Sequence, residues 1–236
     1  MVMSCRWPNA GNTYKGLTPR QASMERALVR QLFKPSLREP FLVSGLPGVG
    51  NVGENVASYL SQMLDAKLFA ELISPRLPDY VIVEEGICRL PRYAFYAVEQ
   101  VEPNLVILTG DAQPPQDDVE AYYEVCEEIV GFAKQLGVKA VVSVGGFAAS
   151  SSPGQVFVAS SSEELGRRFL EAGARPMPPG RIVGPVGLLP AMAAEAGIDG
   201  ACLLGAVSSP VNDRDTSLRV LKVLMGALGL GIRPLS

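Results

Sequence analysis

At 236 residues, 47% of them hydrophobic and 19% charged, the chain is long enough for one α/β domain with a well-buried core and too apolar for bulk disorder. A net charge of −3 leaves no basic footprint for nucleic acid, and no cluster of Lys and Arg marks an anionic lipid surface. With no apolar leader at the N-terminus and no apolar run of about 18 residues, neither a signal peptide nor a membrane span is expected, which predicts a cytoplasmic protein.

The first 36 residues read as an arm and a helix, ahead of an α/β domain spanning 37–236. Met1 to Gly16 shows no periodicity, and Met24 marks an alternative start, since nothing before it has a core pattern. Thr18 and Pro19 look like the N-cap and first residue of a helix whose apolar face carries Leu28, Val29, Leu32 and Phe33. From Pro40 short apolar runs alternate with helical segments. Strands are expected at 41–44, 67–73, 80–83, 93–99, 105–108, 140–144, 156–159, 182–183 and 201–207. Helices are expected at 51–64, 117–136, from Ser161 or Ser162 to Gly173, at 188–196 and at 213–228. Tyr93, Phe95 and Ala97 alternate, which suits an antiparallel or edge strand beside a parallel sheet. Repeated βα units imply a three-layer αβα sandwich with a mixed, mostly parallel sheet.

The histidine count is zero, which removes Ser-His-Asp and Cys-His machinery and His-based zinc sites. Cys5, Cys88, Cys126 and Cys202 form no C-x-x-C pair and read as reduced thiols. Glu84-Glu85 and Glu127-Glu128 are adjacent pairs whose side chains diverge, the serine runs at 150–152 and 160–162 have no neighbouring base, and no G-x-S-x-G elbow occurs. Neither catalytic residues, a cofactor nor a metal is expected, and the chain reads as a non-enzyme.

Two features could still hold a ligand. Gly48-Val-Gly50-Asn-Val-Gly53 matches G-x-G-x-x-G between a strand and a helix, with Glu71 near the place of a ribose partner. Pro47 before the motif and the short strand favour the other reading, close packing of backbone on backbone. A P-loop is excluded, because Asn51 and Val52 stand where Lys and Ser/Thr are required. Asn51, Asp111, Gln113, Asn212 and Asp213 all follow strands, so together with Gly48 and Gly50 they define a candidate pocket on one rim. The same residue types cap helices and make turns.

Across residues 40–230 the sequence resembles the proteasome-assembly-chaperone family in its archaeal branch. The resemblance rests on Gly45-Leu-Pro-Gly-Val-Gly-Asn-Val-Gly53, Ser74-Pro-Arg-Leu-Pro-Asp-Tyr80, Pro91-Arg-Tyr93, Leu108-Thr-Gly-Asp-Ala-Gln-Pro114, Gly145-Gly-Phe147, Gly184-Pro-Val-Gly-Leu-Leu189 and Cys202-Leu-Leu-Gly205 in this order. It implies a phosphorylase/hydrolase-like three-layer fold, self-association into a homo-oligomer, no catalytic triad, and proteasome α subunits as partners. It also implies a tail ending hydrophobic–Tyr–any residue; this chain ends Arg233-Pro-Leu-Ser236 and departs from that pattern. Candidate interface residues are Tyr93, Phe95 and Tyr96, or the final helix. The alternative from a different class is a small-molecule or nucleotide-binding enzyme using the glycine-rich rim.

Overall fold

The computed structural model describes residues 27–149 and 153–231. Its strands are β1 (Leu28–Gln31), β2 (Phe41–Gly45), β3 (Lys67–Ile73), β4 (Ile82–Glu84), β5 (Ile87–Arg89), β6 (Tyr93–Val98), β7 (Leu105–Gly110), β8 (Ala140–Ala148), β9 (Val156–Ser160), β10 (Arg175–Pro176) and β11 (Asp199–Val207). Its helices are α1 (Val52–Met63), α2 (Val119–Gln135), α3 (Glu163–Glu171), α4 (Pro185–Glu195) and α5 (Arg214–Leu228).

Nine strands form one sheet in the order β1-β3-β6-β7-β2-β8-β11-β9-β10, and β4-β5 stand apart as a hairpin. The centre, β7-β2-β8-β11, is parallel, whereas β1, β3 and β6 on one flank and β9 on the other run antiparallel to their inner neighbours. The sheet is therefore mixed but parallel only at its centre and in the short β9–β10 pair. The short link over 99–104 between β6 and β7 explains part of this, because a parallel return needs a crossover.

Strand alternation builds a core on each face. Leu105 and Ile107 of β7 join Val56 and Leu60 of α1, Phe169 of α3 and Leu224 of α5. Val106 and Leu108 face the other way, onto Ile129 and Phe132 of α2 and Leu189 of α4. Phe132 stacks on Phe69 at 6.0 Å between centroids and meets Phe95 edge-on at 5.0 Å. Helices thus cover both faces, as the βα pattern predicts. Their ends are capped locally: Asp118 accepts from the Ala121 N–H, Ser162 from the Leu165 N–H, and Gly137 takes φ +69° after α2.

Several expectations are corrected. Leu28–Gln31 is a strand, not part of a helix, because it pairs with β3 and places Arg30 against Glu71; Thr18 and Pro19 lie outside the described residues. Ile182 and Val183 form no strand, having no sheet neighbour, and Val183 is 86% exposed. Tyr93 and Phe95 do not present an interface: β6 is an interior strand and both side chains are fully buried under α2. Tyr96, on the opposite face, is half-buried. The α5 face is also largely internal, from Val220 to Leu228.

Candidate functional site

The rim lies at the carboxyl ends of β2, β7, β8 and β11, where an open α/β sheet places its ligands. Leaving β2, the backbone turns through Gly50 (φ +65°) and Asn51 (φ +52°), two successive left-handed residues, before α1 begins. Glycine and asparagine are the residues that tolerate this conformation. Gly53 follows on the first turn of α1, so close to the sheet that a Cβ would lie 2.6 Å from the Val144 carbonyl oxygen and 2.7 Å from that of Leu46. The glycines therefore let the helix approach β2 and β8 backbone to backbone.

The β11–α5 connection closes over this turn. The Gly50 N–H donates to the Pro210 carbonyl at 2.9 Å, and the Asp213 N–H donates to the Gly50 carbonyl at 2.8 Å. Gly50 is thus bonded in both directions to the same clasp, and its N–H is not available to a pyrophosphate. Gln113 reaches across from the end of β7 and donates its side-chain amide to the Pro47 carbonyl. Asn212 accepts from the Asn55 amide at 3.0 Å, and Asn55 also bonds the Ser217 hydroxyl.

Asp213 is the pivot of the clasp. Its carboxylate caps α5 at the Thr216 N–H (2.9 Å) and accepts from both the N–H and the hydroxyl of Ser208 (2.8 and 2.9 Å). Burial alone would raise its pKa, but the Thr216 and Ser208 donors outweigh that cost and bring it down to about 2.

Of the seven candidate pocket residues, Gly48, Gly50, Asn51, Gln113, Asn212 and Asp213 come together around the start of α1. Asp111 turns away, to a groove of about 360 Å³ between α1 and the end of β6–β7, lined by Glu54, Ser58, Arg89, Arg92, Tyr96 and Thr109 among others. There Asp111 takes a two-pronged bond from Arg89 (2.5 and 2.9 Å) and a third from the Arg92 N–H (2.9 Å). Burial pulls its pKa up, and these three donors and the guanidinium charges bring it below the ordinary carboxylate value. Behind it, Glu71 is buried and held by Arg30 and Arg92, so it is committed to an ion network, not to a ribose. Sequence reasoning missed Arg30, Arg89 and Arg92; they stand 41 residues from Glu71, 22 from Asp111 and 21 from Glu71 respectively, and no local pattern links them.

The chemistry available is correspondingly limited. Burial pushes the thiols of Cys126 and Cys202 up to about 12, leaving them protonated and unreactive at neutral pH. Among the described residues no group of three or more Asp, Glu or Cys could hold a metal ion, and no helix is long and apolar enough to cross a membrane.

Comparison with known proteins places this arrangement. The structure of PbaB from Pyrococcus furiosus, an archaeal proteasome activator, is similar with a TM-score of 0.83 at 28% identity, over 89% of this chain and 92% of that one. PbaA from the same organism, an archaeal homolog of proteasome-assembly chaperone, is similar with a TM-score of 0.73 at 27% identity, over 87% and 83% of the two chains. An uncharacterized protein of Methanocaldococcus jannaschii is 30% identical over 190 residues, 79% of this chain and 72% of that protein. Residues 42–234 match the PAC2 family model, and the chain belongs to the PAC2 family.

Proposed function

We propose that this protein is a non-enzymatic binding module that acts on the proteasome, as an assembly chaperone or an activator, and does so as a homo-oligomer. The observation that carries the reading is the similarity to PbaB, which spans 92% of that proteasome activator. The rim supports it from the other side: its glycines serve close packing, Gln113 is bonded to the Pro47 carbonyl, Asn212 to Asn55, Asp213 to Ser208 and the start of α5, and Asp111 to the hairpin. A small-molecule enzyme at the same rim would need those groups for substrate. The partners in this reading are a second copy of the chain and proteasome α subunits.

The test is to mix the full chain with purified proteasome core particles, and separately with isolated α subunits, and to measure co-sedimentation and peptide hydrolysis. Co-sedimentation, with a changed hydrolysis rate or faster particle assembly, supports the reading. No association at micromolar concentrations in either mixture sinks it.

A further inference from the structure

We infer that β1 is the seam at which two copies of this chain join, pairing antiparallel about a two-fold axis that passes beside Arg30. Among the described residues the two edges of the sheet differ. At one end β10 is two residues long and contains Pro176, which has no N–H to offer, so that edge is blunted. At the other end β1 carries neither Pro nor Lys. Just past its end the Leu32 N–H bonds the Phe69 carbonyl at 2.7 Å. The antiparallel alternation then turns the backbone groups of Leu28 and Arg30 toward β3, and those of Val29 and Gln31 outward.

The occupant follows from the register. With the axis beside Arg30, Leu28 of one copy lies opposite the partner's Leu32, and Val29 lies opposite the partner's Gln31, each contact occurring twice. Leu28 is 56% and Leu32 50% exposed in the single chain, so the join covers both apolar side chains. Arg30 would face its own symmetry mate, a repulsive pairing in most edge strands. Here each guanidinium already lies on the buried Glu71 carboxylate of its own chain, which Arg92 shares, so the like charges are offset in part and the apolar contacts carry the join. A foreign strand would meet the same edge without this twofold match.

The inference rests on the homo-oligomer part of the proposed function, and its test separates the two. Sedimentation velocity is measured on the full chain, on Leu28→Lys, on Leu32→Glu and on the double variant, with far-UV circular dichroism to confirm folding. The full chain is expected to sediment as a dimer or a multiple of one. Each single substitution roughly halves the sedimenting mass, and the double variant restores it, because the new lysine of one copy then faces the new glutamate of the other. The two positions lie too far apart along one strand to rescue each other within a chain. As a second probe, Val29→Pro removes an outward N–H only and also halves the mass. A monomeric full chain overturns the inference. So does an assembly that the single variants leave intact, or a double variant that stays apart. A chain that loses its join yet still binds core particles leaves the proteasome reading standing, whereas a joined chain that binds none overturns that reading alone.

Discussion

Gly53 and Gly48 sit five residues apart in one motif and differ in what surrounds them. A methyl group at Gly53 meets two backbone oxygens that cannot move aside, whereas at Gly48 the nearest atom is the Gln113 amide nitrogen at 3.8 Å. Gly53→Ala is expected to cost about 1–3 kcal/mol, and Gly48→Ala to stay within about 0.5 kcal/mol, both by urea titration. Similar losses at the two positions would remove the packing account of the motif. Asp213 carries a different kind of load. Asp213→Ala is expected to cost about 1–2 kcal/mol at neutral pH, as a lost N-cap. Because the folded-state pKa is depressed, the carboxylate stabilises the fold above the unfolded value near about 4, and that stabilisation is lost as pH falls toward about 2. The gap between wild type and Asp213→Ala should therefore narrow across that window; a gap independent of pH would show that the charge contributes nothing.

At the scale of elements, the hairpin β4–β5 has no ladder to the main sheet, and two strands alone are marginal in water. Arg89, on β5, ties it to Asp111 at the end of β7, with Glu84 of β4 on the same guanidinium. Asp111→Ala is expected to abolish amide-exchange protection across 82–89 while shifting the global unfolding midpoint little; unchanged protection would mean that the hairpin is held by packing. Most elements were legible in the sequence, because capping residues, glycine stops and apolar runs are local signals: β3 appears at 67–73 as expected, and α5 begins directly after Asp213. Non-local outcomes were not legible. Leu28-Val-Arg-Gln31 fits a helical face as well as a strand, and only its pairing with β3, some 40 residues later, decides the matter. The aromatic alternation of β6 similarly says that one face is apolar, but not that α2 covers it. At the rim the glycine turn and the Asp213 cap could be read as packing and capping, whereas the Arg30–Glu71–Arg92 and Arg89–Asp111 pairs could not be assigned before the fold brought them together.

The whole molecule depends on a sheet that both cores share, since neighbouring residues of β7 and β2 serve opposite faces. Phe132→Ala on one side and Leu224→Ala on the other are expected to cost about 3–5 and about 2–5 kcal/mol, each lowering one common unfolding transition. Two separable transitions in calorimetry would show instead that the layers melt independently. That shared sheet also shuts Tyr93 away from solvent under α2, and burial raises the pKa of its phenol far above that of a free tyrosine. Its absorbance near the phenolate band should therefore stay silent through an alkaline titration and appear only when the sheet parts from α2, making this one ring an intrinsic optical gauge of global opening.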